Sequence, residues 1–274
     1  MARKRARTKG NAWVKAGELA LIPLTHLIAK RRYAGALRIP ETGGALIVAN
    51  HISHVDPIFD TVFIRSSGRI PHVMAKASLW KIPVVRRVLT GTGQIPVERG
   101  GGAGQAALEQ TVASLAAGHV VLIYPEGTVT KDPDGWPMRP RPGVAALALS
   151  GDFPVIPVAH WGSNHVYTSY ASGMRFKPFP RKDVHVVAGE PIDLSEWRGK
   201  PVDNRAIRDV SYLIMGRVRD MVAQLRGETA PAAFFNPKTG SPETTTGETT
   251  TGETGSAGSG TPESRAAPPG GPGR

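Results

Sequence analysis

The sequence contains no cysteine. Disulfides, thiolate metal sites and a cysteine nucleophile are thereby excluded, and the absence fits a reducing compartment. Aromatic residues are sparse, at 6%, and are not interleaved with the basic residues as a base-stacking surface requires. No apolar run approaches the roughly 20 residues that cross a bilayer. The most apolar stretch near the start, Leu19 to Ile28, is broken by Pro23 and His26. No small-residue cleavage site follows it, so a secretory signal is not expected. Gly100-Gly101-Gly102 lacks both phosphate-loop spacings, which argues against a nucleotide cradle.

Acids are scarce as well, 22 against 34 Lys and Arg, for a net charge of +12. The imbalance is uneven. From Glu228 onward five acids (Glu228, Glu243, Glu248, Glu253, Glu263) meet three bases (Lys238, Arg265, Arg274), leaving −2 there and +14 before it. A basic body calls for a polyanionic partner: nucleic acid, an anionic membrane surface or a phosphorylated substrate. Residues 228–274, with Glu243-Thr-Thr-Thr-Gly repeated from Glu248, cannot bury enough apolar surface to offset chain entropy and are expected to form a disordered tail.

In the rest of the chain, short β-branched runs alternate with amphipathic stretches. Ala45 to Val48, His72 to Lys76, Val120 to Tyr124, Val155 to Ala159 and Val184 to Val187 read as strands. Trp13 to Arg32, Ile58 to Ile64, Gln105 to Ala117, Gly143 to Leu149 and Asn204 to Arg226 read as helices. The alternation predicts an α/β fold, a mostly parallel or mixed sheet flanked by helices. Pro157 marks its strand as an edge or a bulged one. The first helix, flanked by Lys15 and Lys30-Arg31-Arg32, suits an anionic membrane interface. The expected division is 1–37 as basic tail and membrane-contacting helix, 38–227 as the main domain, and 228–274 as tail.

Asn50-His51-Ile52-Ser53-His54-Val55-Asp56-Pro57 directly follows the first strand. Asp56-Pro57 reads as a helix start, with Asp as N-cap and Pro at the first helical position. An imidazole at a strand end can take a proton from a hydroxyl while a carboxylate holds its other nitrogen. Taken alone, a His-x4-Asp is more often a loop histidine and a helix cap. The strand Val120 to Tyr124 delivers Glu126, Gly127 and Thr128 to its carboxyl end, where ligands of open α/β sheets bind. Arg99 at a strand end is suited to grip a phosphate bidentately.

Four segments then stand in order: Asn50-His51-x4-Asp56, Pro96-Val97-Glu98-Arg99, Tyr124-Pro125-Glu126-Gly127-Thr128 and Val155-Ile156-Pro157-Val158. Together they resemble the glycerolipid acyltransferase family, most closely bacterial 1-acylglycerol-3-phosphate acyltransferases, over roughly residues 38–189. The resemblance implies that His51 and Asp56 form the catalytic pair. It implies that Arg99 binds the acceptor phosphate, that Glu126, Gly127 and Thr128 belong to the acceptor-binding region, and that Pro157 shapes the acyl-donor region. Lys76 is added as a second phosphate contact. Val129-Thr130 departs from the Arg-Ser often found after Glu-Gly-Thr in the family, which leaves the acceptor headgroup open, and Glu98 stands where Asp is frequent.

The implied reaction is acyl transfer from an acyl-CoA or acyl carrier protein to lysophosphatidic acid at the cytoplasmic face of the cell membrane, by a peripheral or monotopic enzyme. No resident cofactor or metal is called for. Another lysolipid or hydroxyl acceptor is the alternative. A basic nucleic-acid-binding module and a non-catalytic membrane adaptor are rivals of a different class, and nucleic acid is not the expected partner because no binding module is recognisable.

Overall fold

The strand β2, Ala45–Ala49, is buried along its whole length, as its unbroken apolar run requires. The structure, a computed structural model, describes residues 7–98, 103–168, 173 and 175–243. In chain order the elements around β2 are α1 (Ala12–Ile28), β1 (Ala29–Ala34), α2 (Asp56–Ser66), β3 (Pro71–Lys76), α3 (Pro83–Gly91) and β4 (Ile95–Val97). They are followed by α4 (Ala103–Ala116), β5 (Val120–Ile123), α5 (Gly143–Ala148), β6 (Val155–Trp161), α6 (Ser163–Val166), β7 (Lys182–Ala188) and α7 (Asn204–Arg226). A small hairpin of β8 (Phe234–Asn236) and β9 (Ser241–Glu243) comes last.

The main sheet has the order β1-β7-β6-β2-β5-β3-β4. From β6 to β4 all neighbours run parallel, while β7 runs antiparallel to β6 and carries β1 parallel beside it. The sheet is therefore mixed, and helices cover both faces. Alternate residues of the central strands supply the two cores. Ala45, Ile47, Ala49, Leu122, Ile156 and Val158 pack with Phe59 and Phe63 of α2. Leu46, Val48, Val121 and Val155 pack with α5 and α7 on the other face. On α7, Val210, Ile214, Val218 and Val222 recur every four residues, and all four are buried. Asp203 caps that helix by accepting from Ala206 N–H at 2.7 Å.

Three sequence expectations are corrected. The first helix ends at Ile28, four residues short of Arg32. Residues 29–34 instead alternate between sheltered and exposed positions and pair with β7, so the two-residue period prevails over the helical reading. Because β1 belongs to the main sheet, a boundary at residue 37 falls inside the domain. Pro157 is on neither an edge nor a bulge: β6 is paired on both sides. Its missing N–H faces β7 just past Ala188, the last paired residue, where its carbonyl still accepts from Gly189 N–H at 2.8 Å.

The segment after Glu228 is the third. Phe234 is buried against Tyr212 and under the Arg219 guanidinium, so the hairpin up to Glu243 is part of the fold. Residues 244–274, which hold the repeats, lie outside the described residues. Truncating Ile214 to Ala on the buried side of α7 should remove about 2–5 kcal/mol of unfolding free energy, read by urea denaturation.

Candidate active site

The parallel strands β2, β5 and β3 end on the same edge of the sheet, and the chain turns there into the loops bearing His51, Glu126 and the residues after Lys76. Asp56 is fully buried. It does not cap α2 as the sequence suggests. The helix includes Asp56, and no side chain caps its start. The carboxylate turns backward over the loop instead: Oδ2 accepts from Ile52 N–H at 2.6 Å, Ser53 N–H at 2.8 Å and His51 Nδ1 at 2.9 Å. Oδ1 accepts from the Ser163 hydroxyl. Burial alone would raise the pKa of Asp56; neighbouring His160 and the hydrogen bonds from His51 and Ser163 prevail and lower it.

With Nδ1–H committed to Asp56, the ring of His51 keeps its lone pair on Nε2, the tautomer a general base needs. The ring stacks on Tyr124 with 4.3 Å between centroids, and its side chain retains 14% exposure, enough to be reached. The backbone of His51 is clamped at both ends. Its N–H donates to Glu126 Oε1 at 2.7 Å, and its carbonyl accepts from Thr130 N–H at 2.7 Å. The turn between β5 and the next loop thus grips His51 from behind.

Glu126 is buried, and its second oxygen accepts from Met138 N–H at 3.0 Å. It positions His51 and the 126–138 loop, with both carboxylate oxygens already engaged. Burial is the largest influence on it and pushes its pKa up to about 8, against the pull of the two backbone donors. Gly127 has φ +70°, and a Cβ there would lie 2.3 Å from Arg141 Nε, so only glycine lets that guanidinium cross the turn. Gly127 and Thr128 are half-buried at the strand end, whereas Val129 is buried with its side chain inside.

Lys76, exposed at the end of β3, lies on the same sheet edge but two strands away from β2, with β5 between them. Arg99 lies outside the described residues. Pro157 is not brought to the pair. It shares the side of β6 that faces Met221 and Gly189, while Asp56 and His51 lie on the α2 side. Among the described residues, no three His, Cys, Asp or Glu side chains are placed to hold a metal.

Three participants escape the motif reading, and a fourth, Asn50, lies in the motif with no role assigned to it there. Asn50 pairs its side-chain amide with the backbone of His160, donating to the carbonyl at 2.9 Å and accepting from N–H at 2.8 Å. It thereby extends the β2–β6 pairing past Ala49. Ser163 follows Gly162, whose φ is +94° and whose missing Cβ would meet Asp183 O at 2.2 Å. His160 Nδ1 lies 2.9 Å from Asp60 Oδ1, with both side chains buried behind Asp56. Polar residues at the core-facing period of a helix and a strand (Asp60, His160) are the only signal the sequence offers for them.

A histidine held by a carboxylate at the carboxyl edge of an α/β sheet can take a proton from a hydroxyl. The chain matches the model of the Acyltransferase family over residues 30–161, from β1 through β6. It is 30% identical over 134 residues to 1-acyl-sn-glycerol-3-phosphate acyltransferase of Borreliella burgdorferi, covering 48% of this chain and 52% of that protein. It is 30% identical over 158 residues to N-acylphosphatidylethanolamine synthase of Arabidopsis thaliana, covering 54% and 55%. To 1-acyl-sn-glycerol-3-phosphate acyltransferase of Bacillus subtilis it is 25% identical over 170 residues, covering 61% and 76%. The chain thus spans about half the length of the first two relatives. The crystal structure of the 1-acyl-sn-glycerophosphate (LPA) acyltransferase from Thermotoga maritima shares the fold, with TM-score 0.58, 22% identity and 80% coverage of each chain.

The Glu126 clamp has a consequence for stability. A carboxyl whose folded pKa is raised from 4.5 to about 8 adds stability that is full below the unfolded value and is lost as pH rises through about 8. The gap in thermal midpoint between wild type and Glu126→Gln should therefore narrow from about pH 5 to about pH 9. A gap that widens over that range contradicts the assignment.

Proposed function

We propose that the protein transfers an acyl chain from an acyl thioester, acyl-CoA or acyl carrier protein, to the free hydroxyl of 1-acyl-glycerol-3-phosphate, yielding phosphatidic acid. The observation that carries this reading is the His51–Asp56 pair at 2.9 Å, with the histidine backbone clamped and its ring reachable. His51 Nε2 takes the acceptor hydroxyl's proton as the oxygen attacks the thioester carbonyl. Asp56 stays ionised and stabilises the imidazolium that forms. The tetrahedral intermediate collapses, the carbon–sulfur bond breaks, and the thiolate leaves with the proton returned by His51. No acyl-enzyme is required, in keeping with the absence of cysteine. Arg99, Lys76 and the Gly127–Thr128 turn are the proposed acceptor contacts. The buried Val129 favours a second reading, in which the same chemistry serves a different lysolipid or hydroxyl acceptor.

His51→Ala should lower the rate of free-thiol release with lysophosphatidic acid and acyl-CoA by about 10²–10⁴-fold. Full turnover in that variant contradicts the mechanism. A panel of acceptors in the same assay separates the two readings.

The proposed site of action is the cytoplasmic face of the cell membrane. Among the described residues no helix is long and apolar enough to cross a bilayer. What supports surface attachment is that α1 is turned with a charge inward. Glu18 pairs with the buried Arg65 of α2, while Leu19 and Leu27 are 80% and 59% exposed. Asn11 next to α1 donates to Gly91 O at the end of α3; Val84 and Val88 of that helix and Ile82 just before it are exposed to solvent. Exposed Lys15, Lys81, Arg86 and Arg87 accompany these side chains, the pairing of apolar and basic groups that suits an anionic interface. Replacing Leu19 and Val84 together by Glu should weaken co-sedimentation with phosphatidylglycerol vesicles by at least about tenfold, given about 1.5–3 kcal/mol per buried apolar side chain. Unchanged binding rules this surface out.

A further inference from the structure

Behind Asp56, the ring of His160 is fully buried between two carboxylates. Its Nδ1 lies 2.9 Å from Asp60 Oδ1 and its Nε2 lies 3.5 Å from Asp56 Oδ1. A neutral imidazole has one N–H and one lone pair. With the proton on Nδ1, the buried Nε2 lone pair would lie 3.5 Å from Asp56 Oδ1 with no hydrogen-bond donor to it; with the proton on Nε2, the Nδ1 lone pair would face Asp60 Oδ1 at 2.9 Å. Only the imidazolium offers an N–H to both sides.

The remaining neighbours keep both carboxylates in the accepting role. Asp60 Oδ2 accepts from the Tyr124 hydroxyl at 2.6 Å, and Asp56 Oδ2 accepts from His51 and two backbone N–H groups. Asp56 Oδ1 accepts from the Ser163 hydroxyl of α6. The ring of Phe59 meets His160 edge-on at 6.1 Å. From β1, Tyr33 donates its hydroxyl to Phe59 O at 3.1 Å, and β7 pairs Val186 with His160 in the sheet. Asp56 and Asp60 are thus the charged groups that face the ring, with Tyr124, Tyr33 and, through Asp56, His51 as the titratable groups around them.

We propose that His160 is a positioning residue of the reaction: its imidazolium, held between Asp60 and Asp56, keeps Asp56 ionised and sets how tightly the His51–Asp56 pair holds the acceptor's proton. The proposal rests on the reading of His51 as the base. At rest the two aspartates and His160 carry a net charge of −1, and uptake of the acceptor's proton by His51 brings the group to zero. Removing the charge of His160 leaves −2 around the base. His51 then holds its proton more tightly and gives it up less readily to the departing thiolate. Burial works against the charged form of His160, but the two carboxylates prevail and raise its pKa to about 8.

Two measurements test this. In histidine-labelled protein, the His160 ring nitrogens, assigned by their loss in His160→Gln, should both show the protonated ¹⁵N shift at neutral pH and titrate near pH 8. A single neutral tautomer at neutral pH overturns the proposal. In the thiol-release assay, His160→Gln should move the acid limb of kcat/KM to higher pH by about one unit or more. Asp60→Asn combined with His160→Gln removes opposite charges together and should return the limb toward its wild-type position. An acid limb that stays in place in the folded single variant overturns the positioning role, since a merely structural loss lowers the rate without moving the limb. If thiol is released with no acceptor even by the wild type, the acyl-transfer reading fails. The ring spectrum still gives the charge of His160 independently.

Discussion

A carboxylate with no solvent contact must find its partners inside the protein, and the site follows from how Asp56 finds them. Left unpaired, an ionised group in such a place would take up a proton or destabilise the fold. Here two backbone N–H groups, the His51 ring and the Ser163 hydroxyl donate to it. Each donor fixes something else in doing so. The backbone donors hold the loop after β2, the ring acquires its tautomer, and Ser163 ties the end of β6 to the start of α2. Charge-assisted hydrogen bonds of this kind are the strong ones, and together they make the loop a rigid mount.

The sheet supplies the other half. Parallel β2, β5 and β3 deliver their carboxyl ends to one edge, so the loops that follow meet without any long-range loop closure of their own. Glu126 from the end of β5 reaches the backbone of His51 at the end of β2, and Thr130 reaches it from the other side. The antiparallel turn of β7 leaves the α2 face of β6 with His160 and Asp60 sealed beneath the pair. Buried polar groups are costly unless partnered, which accounts for the interlocked partners of Asn50, Asp60, Tyr124 and the Nδ1 side of His160.

Much of this was legible in the sequence. The alternation of β-branched runs with amphipathic stretches predicts the α/β sheet, and the four segments in order, through the family they resemble, imply the pairing of His51 with Asp56. What was not legible shares a cause: long-range pairing overrides local pattern. Residues 29–32 carry helical signals until β7 offers a partner, and Pro157 signals an edge although its missing N–H falls at the end of a pairing. Phe234 gains its burial from α7, which no window of the tail's own composition includes. Asp56 looked like a cap because Asp-Pro usually starts a helix; the carboxylate prefers the loop behind it because His51 and two free N–H groups lie there. Glu126, which the family resemblance places in the acceptor-binding region, accepts from the backbone of His51 and Met138, partners that no local pattern in the sequence shows.

In the proposed reaction Asp56 acts as a charge, ionised and orienting His51. Asp56→Asn keeps the size of the side chain and removes that charge, and the amide cannot accept from every donor that Asp56 Oδ2 now serves. Steady-state thiol release measured across concentrations of acyl-CoA, with the fold checked by circular dichroism, reads its effect. A kcat reduced by about 10²-fold or more with KM for the donor nearly unchanged is the predicted result. A folded variant whose kcat stays within a few-fold of wild type would contradict it.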